Sequence, residues 1–476
     1  MPRTSRLIPR AGPPTRHPRR GGLGAVHVGE RLTVRLSAMG PDGVAVARLG
    51  PVLLAVPFGV PGEEAVVEVT KGGRRAQGRL VALLRKSSST VVARCPHFGR
   101  CGGCQWQHLV PEAQRRLKTA LVKDFLKEHA GVHRDIVRET VGGEAWAYRS
   151  TLRAAFAERD GVAVAGFRAI ASDRVMDISQ CPVQHPANEA ILRAVRGALR
   201  ALRLPVYDRT SGAGLMRGVV GLASFATGEA LLTLSVAKPI RDTAPLVHAL
   251  IGRVPGLVGI LSTVQPGPAP ELLGPRLRLL WGRDGIVEEV AGLRVLLRPA
   301  AETPPNPSAV PLLLDAVRQA AALQSTQTAL DLTAATPLPA LALARDAALV
   351  VGVTPDRQAM ADAWKAAEWN GVANAVFYAR SPLRVLARMA VRSRPDAVVV
   401  TARGPGLDDA TIHAVASARI PRVVYLARSL ATCAGDLARW GRAGYKAVAV
   451  QPVDMLPQTG HVHLVVTLRR DRTQPA

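Results

Sequence analysis

The sequence predicts a multidomain protein: a small all-β barrel, an α+β central domain carrying a set of cysteines, and a C-terminal α/β domain with a doubly wound sheet. Three observations predict it. Residues 26–84 hold short β-branched runs punctuated by Gly and Pro, the pattern of a small barrel. Four of the five cysteines form an ordered array, Cys95, Cys101, Cys104 and, far downstream, Cys181. That spacing is too regular for scattered core residues. From about residue 311, apolar strand-like runs alternate with amphipathic helical segments, which implies parallel strands covered by helices on both faces.

The elements follow in order. Residues 1–25 carry Arg3, Arg6, Arg10, Arg16, Arg19 and Arg20 among prolines and glycines. With nothing to bury, this stretch reads as a disordered basic arm. In the barrel unit, 26–84, strands are expected at 32–36, 44–48, 52–56, 65–69 and 78–82. Lys71, Arg74 and Arg75 sit on a Gly-bearing loop that either meets phosphates or keeps a hairpin tip soluble. A central unit, 85–300, opens with the cysteines and then a helix at 111–130. Pro111 starts that helix, Leu117, Leu121 and Phe125 repeat at i, i+4 and i+8, and Gly131 ends it. Arg115, Arg116, Lys118 and Lys123 are assigned to its basic outer face. The rest of this unit alternates strands such as 230–236 with helices such as 242–251 and shows no recognisable chemistry. In the last unit, 301–476, strands are expected at 329–333, 348–353, 375–378, 397–401, 423–426, 447–450 and 461–468.

Gly99, Gly102 and Gly103 separate the close cysteine trio and let three sulfurs face one centre. With Cys181 they make a tetrathiolate set, which suits zinc or an iron-sulfur cluster; spacing does not choose between them. Two disulfides are the remaining arrangement. Residues 1–24 contain no apolar secretory run, so a cytoplasmic chain with reduced thiols is expected.

Cys101-Gly102-Gly103-Cys104 followed by Gln105-Trp106-Gln107-His108-Leu109, a helix bearing Lys118, and Cys181-Pro182-Val183-Gln184 resembles the iron-sulfur segment of the RNA uracil-5 methyltransferase family. The resemblance covers about residues 26–470. It implies a 4Fe-4S cluster on Cys95, Cys101, Cys104 and Cys181. It also implies an OB-like TRAM barrel, which Gly43-Val44-Ala45 and Pro61-Gly62-Glu63 resemble, and a Rossmann-like methyltransferase domain using S-adenosylmethionine. Tyr148-Arg149-Ser150 and Gly166-Phe167-Arg168 are similar to substrate-domain positions of that family.

The catalytic motifs depart from the family together. Its cofactor turn reads Asp-Leu-Tyr-Cys-Gly-x-Gly; here the stretch is Asp331-Leu332-Thr333-Ala334-Ala335-Thr336-Pro337. Ala335 and Pro337 add atoms where glycines would let the backbone approach the cofactor. Thr354 stands where an acidic residue would take the ribose hydroxyls, with Asp356 two residues on. Thr401-Ala402-Arg403-Gly404 replaces Asp-Pro-Pro-Arg, and Thr303-Pro304-Pro305-Asn306 replaces Phe-Phe-Gln-x-Asn. The nucleophilic cysteine falls at Arg428, whose guanidinium stays protonated and has no lone pair to give. The glutamate base falls at His463, inside Asp454-Met455-Leu456-Pro457-Gln458-Thr459-Gly460-His461-Val462-His463, where the motif otherwise survives. Cys433, inside the following helix, reads as a small buried residue.

Lys+Arg 62 against Asp+Glu 36 gives a net charge of +26, which fits a polyanionic partner, although a generally Arg-rich composition would do the same. Aromatics are 4% of residues, so base stacking must rest on few rings. No apolar run reaches the roughly 18 residues of a membrane helix. The expected protein is a monomeric, RNA-binding (rRNA or tRNA) iron-sulfur member of this family that has lost the uracil-5 reaction. Rival readings are an active methyltransferase with altered residues and a ribosome- or DNA-associated scaffold.

Overall fold

The computed structural model describes residues 25–402 and 404–471. The expected basic arm lies outside them, apart from Ala25. The first sheet is built from β1 (Arg31–Arg35), β2 (Ala38–Met39), β3 (Ala45–Leu49), β4 (Val52–Val56), β5 (Glu64–Lys71) and β6 (Arg75–Arg85), in the order β1-β5-β6-β4-β3-β2. Alternation sets its core: Val52, Leu54 and Val56 of β4, and Ala65, Val67 and Val69 of β5, point inward. Trp106 and Leu109, just past the cysteine trio, are buried in that same core. The last strand runs longer than the 78–82 expected, because β6 pairs with β5 on one side and β4 on the other.

After the cysteine segment come α1 (Pro111–Ala130), β7 (Val141–Gly142), β8 (Thr151–Arg159), β9 (Val162–Arg168), β10 (Val175–Asp177), α2 (Pro186–Ala201), β11 (Met216–Ala223), β12 (Ala230–Val236), α3 (Ala244–Leu250), β13 (Leu257–Val264), β14 (Leu277–Gly282) and a hairpin of β15 (Ile286–Val290) and β16 (Leu293–Leu297). Seven of these strands form a sheet ordered β10-β9-β8-β11-β12-β13-β14. Its central strands β11 and β12 are buried at every residue. The cause is that one face packs on α2 and α3, while Leu222, Leu231 and Leu261 on the other join the core of the C-terminal sheet.

The C-terminal part alternates α4 (Val310–Ala321), β17 (Thr328–Asp331), α5 (Leu338–Leu343), β18 (Leu349–Thr354), α6 (Arg357–Trp369), β19 (Ala375–Ala379), α7 (Pro382–Arg392), β20 (Ala397–Thr401), α8 (Asp409–Ser417), β21 (Arg422–Ala427), α9 (Leu430–Arg442), β22 (Tyr445–Asp454) and β23 (His463–Arg470). The sheet order is β19-β18-β17-β20-β21-β23-β22-β7. It is not wholly parallel as expected: β23 runs antiparallel to both β21 and β22. The connection 455–462 is too short for the dozen or more residues a parallel crossover needs, so the last strand must turn back. Strand order reverses on either side of β17, and the carboxyl ends of β17, β18 and β20 are where such sheets receive ligands.

Two contacts clasp these parts together. Gln114 on α1 donates to the carbonyls of Trp106 and Leu109 and to Gln458 Oε1, and accepts the Gln458 backbone N–H at 2.8 Å. Lys118, assigned from sequence to an outer face, is instead buried at 0% exposure and pairs with Asp454, 4% exposed, at 2.5 Å. The reason is that α1 packs against α9 and β22 with Leu121, Val122 and Leu126, which turns Lys118 inward. Removing one partner of such a pair strands a buried charge. Lys118→Met is therefore expected to cost about 3–5 kcal/mol, read by chemical denaturation, whereas Lys118→Met combined with Asp454→Leu should recover most of the loss.

Candidate functional site

The four cysteines come together. Cys95, Cys101, Cys104 and Cys181 are free thiols, and all four line one cavity of about 680 Å3, with Phe98, Gln107, Arg149, Arg153 and Arg168 among the other walls. Local geometry explains the approach. Gly99 takes a positive φ of 80°, which glycine adopts freely; Gly102 and Gly103 do not need one, but Gly102 N–H reaches the Arg168 carbonyl at 3.0 Å. Cys95 N–H donates to Gln107 Oε1, and Cys181 N–H to Glu189 Oε1. Burial raises all four thiols, Cys104 to about 11 and Cys181 to about 12. Among the described residues, no group of three or more His, Cys, Asp or Glu side chains stands close enough to hold a single metal ion.

A second cavity, about 600 Å3, opens at the carboxyl ends of β17 and β18. Of the expected cofactor residues, Ala335 and Thr354 line it; Asp331, Pro337 and Thr401 do not. Asp331 is buried and accepts the Thr333 N–H at 3.0 Å. Thr401 N–H is taken by Thr333 Oγ1 at 2.8 Å. Pro337 opens α5 instead of facing the cavity. Asp356 lines it, but its carboxylate accepts the N–H groups of Gln358 and Ala359 as the N-cap of α6. Asp362 is held by Arg298. The acidic groups here are thus engaged by the protein's own donors.

Arg428 and His463, the two residues at the family's catalytic positions, lie one register step beyond the Ala427–Leu464 pair. Arg428 directly follows β21, and His463 begins β23. Arg428 is 48% exposed and ion-paired with Glu302, a residue that also lines the second cavity. Burial, then Arg428 and Lys118, push the His463 imidazole down to about 3. Glu302 was missed in the sequence because it lies in an irregular segment; only a search for a carboxylate to answer Arg428 would have found it. Cys433 is fully buried in the α9 core, with its thiol raised by burial.

Burial also pushes His108 down to about 4. Both histidines are neutral in the folded chain where an unfolded imidazole, near 6.5, takes up a proton. Stability is therefore complete above about pH 6.5 and falls as pH drops toward these folded values, by up to about 1.4 kcal/mol per pH unit for each imidazole. His463→Gln should lose less stability than the parent between pH 7 and pH 5 in urea titrations. Equal losses would contradict this assignment.

An α/β sheet with this strand order and a cavity at the carboxyl ends of its first two strands defines a nucleotide-cofactor fold of the methyltransferase type. The tRNA (uracil-54, C5)-methyltransferase of Pyrococcus abyssi, solved in complex with S-adenosyl-L-homocysteine, shares that fold over 92% of this chain and 99% of its own, with a TM-score of 0.72 at 21% identity. No family model matches the chain. An uncharacterized RNA methyltransferase of Halalkalibacterium halodurans is 30% identical over 449 residues, 93% of this chain and 98% of the relative. One from Caldanaerobacter subterraneus subsp. tengcongensis is 29% identical over 452 residues, covering 94% of this chain and 100% of the relative. The chain belongs to the RNA uracil-5 methyltransferase family. No helix among the described residues is long and apolar enough to cross a membrane.

Proposed function

We propose that this protein binds RNA, ribosomal or transfer, carries a 4Fe-4S cluster, and does not methylate uracil through a cysteine adduct. The observation that carries the last part is Arg428 at the nucleophile position, held by Glu302 beside a neutral His463. A guanidinium cannot add to C6 of a pyrimidine. Cys433, the one described cysteine outside the cluster set, is sealed in the core.

The cluster reading rests on the donor set. Four reduced thiols around a cavity wider than one ion's coordination sphere suit a multi-iron cluster better than tetrahedral zinc. Cys95, Cys101, Cys104 and Cys181 would hold it, and the iron charge would offset the cost of burying four thiolates. For S-adenosylmethionine, the position of the second cavity and the Pyrococcus neighbour's bound S-adenosyl-L-homocysteine support the class of cofactor. The lining supports only a weakened hold: no glycine in the turn, and Asp356 and Asp362 already engaged. We place the OB-like TRAM barrel at 26–84, the central unit at 85–300 and the methyltransferase unit at 301–476.

The second reading is an active enzyme with altered residues, which the intact second cavity beside Glu302 favours. Incubation with RNA containing 5-fluorouracil tests that reading with Cys433 as its nucleophile, since a thiolate adduct at C6 survives denaturing electrophoresis. No shifted band is expected. A band lost in Cys433→Ala would overturn the first reading.

A further inference from the structure

Helix α7 packs on the sheet through Leu386, with Val385 and Met389 beside it. Its outer side carries Arg384, Arg388 and Arg392 at i, i+4 and i+8, all exposed, so the three lie on one face. Arg380 and Arg394 flank the helix and are exposed too. Residues 379–395 contain no Asp or Glu, and none of these five arginines forms an ion pair among the described residues. Like charges at i, i+4 weaken a helix, and only Arg392, in the last turn, suits the helix dipole.

An aromatic ring stands at its head. On β19, Val376 packs into the same core as Leu386; Tyr378, two residues on, shares that face of the sheet by strand alternation and is 46% exposed. Pro382, the first residue of α7, lines the second cavity. The stripe therefore begins at the mouth of the cavity that the fold places for a cofactor and leads away from it. A basic track with one accessible ring is what a single-stranded nucleic acid needs: phosphates on the guanidiniums, a base on the aromatic face.

We propose that α7 and Tyr378 form a binding surface for a single-stranded segment of RNA, with Arg384, Arg388 and Arg392 on successive phosphates and Tyr378 stacked on a base. This rests on the RNA-binding reading above and names a face of the molecule for it.

The test is fluorescence anisotropy of the full chain with a 5′-labelled single-stranded RNA oligonucleotide across a salt series. Arg384→Glu/Arg388→Glu is compared with Arg241→Glu/Arg253→Glu, two exposed arginines elsewhere whose reversal changes net charge equally. The α7 pair should weaken binding at least about tenfold more than the control pair and lower the salt slope by about 1.4, the share of two phosphate contacts on a single strand. Tyr378→Ala should weaken binding by about tenfold with the slope unchanged. Thermal melts monitor folding of each variant. Parent protein that binds while both arginine pairs weaken it equally overturns the α7 surface and leaves the RNA reading standing. Parent protein that binds no RNA overturns both.

Discussion

Protein purified without oxygen is expected to be brown and to hold about four irons per chain, and Cys104→Ser or Cys181→Ser to lose both colour and iron. The physical reason lies in the cavity. Burial holds Cys104 at about 11 and Cys181 at about 12, so without a cation these thiols stay protonated at neutral pH. Binding iron must displace those protons, and retention should weaken as pH falls. Cys433→Ala, in a separate core, should keep its full iron content. Stoichiometric zinc without iron would reject the cluster in favour of a single-ion site.

The second large effect is a failure of rescue. Arg428→Cys alone is expected to give no detectable 5-methyluridine. The new thiol would stand beside Glu302, which now answers the guanidinium, and a nearby carboxylate disfavours the thiolate. The base position would still be His463, already neutral and with no family carboxylate to replace it. The cofactor turn would still lack both glycines. Only joint restoration at Arg428, His463 and the 331–337 turn should produce activity, measured as nucleosides released from digested RNA. Rescue by Arg428→Cys alone would show that the cofactor site is competent as it stands.

Much of the frame was legible because its signals are local. The helix at 111–130 and the strands at 52–56, 230–236 and 397–401 fall where periodicity and turn residues put them, and the four arrayed cysteines line one cavity. What was not legible depends on contacts distant in sequence. Lys118 reads as a surface cation until α1 is seen packed on α9 and β22, 336 residues from its partner Asp454. Glu302 has no motif, and its importance comes only from meeting Arg428. Asp356, two residues past the ribose position at Thr354, reads in sequence as a partial substitute for the missing acid, but capping α6 engages its carboxylate. The reversal of β23 follows from the length of one loop, not from any strand propensity.

We propose that a family frame persists here without its methyl chemistry. The most direct test is incorporation of label from tritiated S-adenosylmethionine into total RNA of a strain lacking the gene, catalysed by the purified, iron-loaded protein. Incorporation is expected to stay at background, with no labelled 5-methyluridine. Labelled 5-methyluridine formed at many turnovers per protein would contradict it.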